Sequence, residues 1–388
     1  MVQIRLEKIL YCPSCIFFII WSFAIIIYSS MFSLIALETI LYFLLFFVFM
    51  FIGNLFGSRF KIASTKSIIP SENLLRQSCK ILFLITLIYS LQMIMHILSF
   101  DSLATAFLDI RRANLSGEPV VRFYNFYIGI AQLLLGIGIL GYLVNYYKFN
   151  NINNKIYLFS IGLSLISSLF DGSRSFLLTG VIWFLVLSVL INNLKLKTLI
   201  IYLVIILILF SITFSIFRPI GDDLVTGFKY TGIYISGGVG ALESAIKNQI
   251  IVYWQDLESI LNKFALLGLP IGGYDLTQLK IDFVYLDNEY QTNVFTALGV
   301  YIQYFSYFAL FIGFIIGFIG GYLSFLARRN LIGRFLYSLF ICSIVLSLFH
   351  DYILSFSYYV FKIFVVLIIL FISENIFKNL ILKKGFYE

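Results

Sequence analysis

Arg174 stands in the string Asp171-Gly172-Ser173-Arg174-Ser175, which joins two apolar stretches with almost no room for a soluble loop. A guanidinium is a permanent cation whose planar fork of donors matches phosphate oxygens two at a time, and at a bilayer boundary that suits a lipid-borne diphosphate. The plainer alternative is a helix turn in which Asp171 caps the following helix and Arg174 meets lipid headgroups. Arg218, directly before Pro219 at the end of another apolar stretch, carries the same pair of readings. Arg111, Arg112 and Arg122 make a further basic group, either an anion-binding patch or a network with Asp101, Asp109 and Glu118.

A hydroxyl acceptor would also need a proton acceptor, and the chain holds only 2 histidines. His350 precedes Asp351 at the end of an apolar stretch; imidazole takes protons near neutral pH, although adjacent helical residues do not face each other. Glu289, two residues after Asp287, is a second candidate base, and the two carboxylates together are a weak metal signal. His96 has Gln92 four residues before it and reads as a packing histidine paired along its helix. Cys12 and Cys15 have redox or metal spacing, but no second cysteine pair or histidine cluster accompanies them, so a structural role is the better reading. Lys362 falls inside an apolar run, where it either faces a partner or reaches for the interface.

The elements that must position these residues follow from composition. Of 388 residues, 61% are hydrophobic and 12% charged, against about 25% charged in an ordinary soluble chain. Water-soluble enzymes, disordered tails and nucleic-acid modules are thereby excluded. Crossing the hydrocarbon core takes about 20 apolar residues per helix, and about ten such stretches are present: 14–32, 37–56, 81–100, 123–147, 156–170, 176–192, 198–217, 300–326, 335–350 and 356–373. No strand alternation of the outer-membrane type occurs. The expected fold is an all-α polytopic membrane protein in which residues 1–388 form one integral membrane domain. Arg5 and Lys8 ahead of the first stretch resemble a signal peptide, but no small-residue cleavage site follows, so that span is expected to remain as an anchor.

Lys and Arg test the alternation, since cytoplasmic connections should hold the excess. Arg5, Lys8, Arg59, Lys61, Lys66, Arg76, Lys80, Lys148, Lys155, Lys195, Lys197, Arg328, Arg329, Arg334, Lys378, Lys383 and Lys384 all fall on one side, which predicts both termini cytoplasmic. The other side holds most of the acids, a first sizeable connection at 101–122, and the one long loop, 218–295. The net charge of +8 therefore records orientation. In the long loop, Leu257, Ile260, Leu261 and Phe264 recur with helical period, which predicts an amphipathic helix after a shorter one from Ala241 to Gln249. The Ser236–Gly240 string reads as a flexible lead-in. Gly313, Gly317 and Gly321, like Gly136, Gly138 and Gly141, read as sites of close helix packing.

The strings "DGSRSFLLTG", "FRPIGDD" and "YQTNVFTALGVYIQYFSYFALFIGFIIGFIGG", set in about ten spans with a late dominant loop, resemble the O-antigen polymerases of the Wzy family. The resemblance implies a GT-C-like fold in the bacterial inner membrane. It also implies an activity: the growing polysaccharide passes from its undecaprenyl diphosphate carrier to a newly flipped lipid-linked repeat unit at the periplasmic face, in lipopolysaccharide biosynthesis. It further implies catalysis with no metal or other cofactor. Its partners are the undecaprenyl-diphosphate-linked oligosaccharide, membrane lipid and a chain-length regulator protein, with no nucleic acid. Arg174 and Arg218 match the family positions, whereas Glu289 and His350 match no family motif.

Two other lipid-linked activities compete. An O-antigen ligase, moving polymer to lipid A core, is expected to use a histidine in its large loop, and 218–295 contains none. A flippase or transporter is expected to place charges through several spans, where this chain has little besides Lys362.

Overall fold

The computed structural model describes residues 10–60, 71–102, 105–106, 109–110, 113, 124–149, 155–170, 174–192, 198, 201–202, 205, 208, 224–247, 284–286, 291–292 and 296–349. Ten helices account for most of them: α1 Pro13–Met31, α2 Leu37–Arg59, α3 Glu72–Ile97, α4 Tyr124–Phe149, α5 Lys155–Phe170, α6 Arg174–Asn192, α7 Leu224–Lys247, α8 Ala297–Phe305, α9 Ala309–Ala327 and α10 Leu331–Leu346. The chain divides into two compact units, one of residues 1–64, 186–215 and 220–358, the other of 65–185, 216–219 and 359–388.

Among the described residues, five helical stretches are long and apolar enough to cross a bilayer: α1, α2, α3, Phe126–Tyr147 in α4, and Ser306–Ala327. Shorter apolar helices lie in α5, α6 and α10. Large apolar side chains such as Ile26, Leu34 and Phe56 face outward, as lipid contact requires. The protein is a multi-pass helical membrane protein.

In the first unit, α2 and α9 pack with backbones in contact. Phe46 faces Gly313, Met50 faces Gly317 and Asn54 faces Gly321, so the two helices run parallel. A Cβ on Gly317 would overlap the Met50 carbonyl, and one on Gly53 the Phe314 carbonyl. The expected glycine packing face is therefore present, and α2 supplies a matching one with Gly53 and Gly57. In bilayers, where lipid is as apolar as leucine, such approach is a main source of helix association.

Beside this pair sits an aromatic core. Phe17 lies 5.5 Å from Phe46 and 5.6 Å from Trp21, ring centre to ring centre, and Phe46 lies 6.2 Å from Tyr301. Trp21, nearly halfway along α1, is fully buried and donates from Nε1 to Ser347 Oγ at 3.1 Å. Ser347→Ala strands that donor and should cost about 1–3 kcal/mol, read as a lowered unfolding midpoint of the purified protein in detergent.

Several boundaries depart from expectation. α3 starts at Glu72 rather than near 81, because Ser71 accepts the Leu74 N–H and the basic residues do not interrupt the helix. Arg76 and Lys80 occupy its exposed face, while Leu75 and Cys79 are fully buried. α10 starts at Leu331, one turn before the expected 335, because Asn330 accepts the Gly333 N–H at 2.6 Å.

The expected span 300–326 is not one helix. α8 ends at Phe305, a 3₁₀ turn covers Ser306–Phe308, and Ser306 has φ 52°, a conformation costing a non-glycine residue about 1–3 kcal/mol. The start of α8 is tied to the end of α10, where the Ala297 N–H donates to the Ser347 carbonyl at 3.0 Å.

The flexible lead-in expected at Ser236–Gly240 is instead the middle of α7, one continuous helix of 24 residues, which also absorbs the helix expected from Ala241. Gly232 lies against Met31 and Gly240 against Tyr28 and Leu286, so small residues here serve close packing. Farther on, Val284 pairs with Thr292 and Tyr285 with Gln291 in a two-residue antiparallel ladder. The amphipathic helix expected near 253–267 and the spans expected at 356–373 and over most of 198–217 lie outside the described residues.

Candidate functional site

Four helix ends share one end of the second unit. Ala131, early in α4, accepts from Ser164, late in α5, at 2.6 Å, while Gly141, late in α4, meets Tyr157, early in α5. Those two helices are antiparallel. Ser90, late in α3, hydrogen-bonds Ser167, late in α5, at 2.8 Å, and Tyr89 stacks on Tyr127 at 5.2 Å. Gly180, early in α6, touches Leu165. The finish of α3, the start of α4, the finish of α5 and the start of α6 therefore meet at this end.

Arg174 is the first residue of α6, four positions after Phe170 closes α5. The first backbone N–H groups of a helix have no partner within it and carry the positive end of its dipole, so an anion at this position meets fixed donors. The connection from α3 to α4 begins at the same end. Ser102 opens a helical turn there, its Oγ accepting the Thr105 N–H at 3.2 Å. Ala106 and Ile110, four residues apart, bury their side chains against Tyr89, Met93 and Ile97.

Docking that apolar face sets Asp109 beside α3. Its Oδ2 lies 3.3 Å from His96 Nε2, and the imidazole meets the edge of Phe100 at 5.1 Å. The expected pairing of His96 with Gln92 does not occur: Gln92 Oε1 is buried with no hydrogen-bond partner among the described residues. The helical period of Ala106 and Ile110 was a usable sign of this turn, but its docking on α3 was not.

Arg111 and Arg112 follow Ile110 directly in sequence, and Arg122 precedes α4 by two positions; all three lie outside the described residues, as do Arg218, Glu289, His350, Asp351 and Lys362. Of the expected site residues, the structure thus places the helix position of Arg174. His96 and Asp109 are the pair that sequence reasoning missed.

The first unit holds two other polar features. Glu243 of α7, 7% exposed, takes the Lys247 ammonium at 2.7 Å and the Ala36 N–H at 3.2 Å, which holds the Lys247 pKa above its ordinary value and caps α2 from a distance. Glu38, in the first turn of α2, is exposed. Elsewhere a cleft of about 190 Å³ is lined by Tyr11, Asn54, Ser58, Ser324, Phe325 and Arg328, with the Arg328 guanidinium 4.8 Å from the Tyr11 ring centre. Cys12 accepts from Asn54 Nδ2 at 3.7 Å beside it, a structural contact.

No protein-family model, curated protein or solved structure matches this chain.

Proposed function

We propose that this protein is a polysaccharide polymerase of the Wzy type, a GT-C-like membrane glycosyltransferase of about ten spans in a bacterial inner membrane, with both termini cytoplasmic. It joins undecaprenyl-diphosphate-linked O-antigen or capsular repeat units at the periplasmic face. The observation that carries this reading is Arg174 at the head of α6, within "DGSRSFLLTG" and at the end of the second unit where the arginine-bearing α3–α4 connection begins.

Cleaving a glycosyl-phosphate bond builds positive charge at the sugar carbon and negative charge on the departing diphosphate. Cations fixed where that negative charge develops lower the barrier with no metal required. Arg174 and Arg218 are assigned to the diphosphate, with Arg111, Arg112 and Arg122 completing the cationic surround. Membrane lipid brings the carrier to this boundary, and a chain-length regulator protein is the expected further partner. Glu289, His350 and Asp351 remain candidate proton acceptors by sequence.

Deletion of the gene in its host tests the reading on a lipopolysaccharide gel. Loss of a polymerase leaves lipid A core capped with a single repeat, restored to a ladder by the wild-type gene. Uncapped core with lipid-linked polymer would identify a ligase, and single repeats stranded on the cytoplasmic leaflet a flippase. An unchanged ladder would remove all three.

A further inference from the structure

His96 and Asp109 lie on different elements, and burial of Ala106 and Ile110 against α3 brings them together. Their side chains are 26% and 49% exposed, so the pair is open to a ligand while the imidazole is largely shielded by its neighbours. It is the one histidine–carboxylate pair among the described residues. A carboxylate on Nε2 favours the tautomer with its proton there, leaving the Nδ1 lone pair to accept a proton, and no described residue takes Nδ1. A base oriented by a third group is the recurring arrangement where a hydroxyl must be activated.

We propose that His96 is the proton acceptor of the glycosyl transfer and Asp109 its positioning residue; this rests on the polymerase reading above. The acceptor sugar's hydroxyl gives its proton to His96 Nδ1 while its oxygen bonds the anomeric carbon of the growing chain. The carbon–oxygen bond to the carrier breaks, and its electron pair leaves on undecaprenyl diphosphate. The Asp109 carboxylate stabilises the imidazolium until the proton passes to water. Arg174, at the same end of the unit, is assigned to the departing diphosphate.

The competing role is a clamp that merely fastens Asp109 and Ile110 to α3. His96→Gln separates the two, because the glutamine amide nitrogen reaches about where Nε2 stands and still donates to Asp109, but takes no proton. With purified protein and lipid-linked single repeats, the base role predicts that kcat falls about 100-fold or more with KM little changed. Asp109→Asn, which keeps an acceptor and loses the charge, should lower kcat about 10-fold or more, and Asp109→Glu should recover part of it. Folding is checked by size-exclusion elution. If His96→Gln does not fold, the asparagine and glutamate variants at 109 carry the test. Wild-type kcat in folded His96→Gln, or in folded Asp109→Asn, overturns the assignment. Wild-type protein that forms no linkage overturns the polymerase reading itself, a distinguishable result.

Discussion

Arg174→Lys is expected to remove most polymerisation at equal expression. Lysine keeps the charge and the helix propensity at the head of α6, so the fold should be retained. It loses the planar fork that grips two phosphate oxygens at once. A hydrogen bond to a charged group is worth about 1.5–3 kcal/mol, and one lost only in the transition state lowers the rate about 10- to 100-fold. Polymer length and yield on a gel, with membrane levels matched, read the effect. Near-normal polymer from the lysine variant would remove Arg174 from the mechanism and leave it as a headgroup anchor.

The second large effect is on the fold. Gly317→Leu puts a side chain where the Met50 carbonyl stands, so α2 and α9 must separate along their shared glycine face. Overpacking a fitted contact costs about 1–3 kcal/mol, and here the obstacle is backbone, which cannot rotate aside. The protein should lose its monodisperse peak after mild heating in detergent. Gly162→Leu and Gly129→Leu, at positions with nothing within 4 Å of an added Cβ, should leave that peak intact. Equal heat resistance of all three variants would contradict the parallel packing of these helices.

How much of this was legible in the residues depended on how local the cause was. α1, α2, α4 and α5 coincide with the expected spans to within three residues, since each apolar run is bounded by polar turns. The start of α3 was missed because Arg76 and Lys80 look like loop residues, whereas a helix tolerates them on one exposed face. The part of α7 before Ala241 was missed because glycine costs a helix about 1 kcal/mol each, a preference overridden where Tyr28 and Leu286 pack on Gly240. The break at Ser306 has no local signal, since Phe-Ser-Tyr-Phe contains no helix breaker.

The site divides in the same way. Arg174 at a helix start follows from a short polar turn between apolar runs, a local pattern. The partner of His96 does not, because Asp109 is 13 residues away and reaches it only through the burial of Ala106 and Ile110 on α3. A neighbour four residues along the helix was the natural expectation, and tertiary packing supplied a different one.

The most direct test of the polymerase reading uses the full chain reconstituted in vesicles with undecaprenyl-diphosphate-linked single repeats presented on the arginine-bearing face. The predicted result is a series of longer lipid-linked chains, with one undecaprenyl diphosphate released for every linkage made. Folded wild-type protein that leaves the repeats single, with no undecaprenyl diphosphate released, would contradict it.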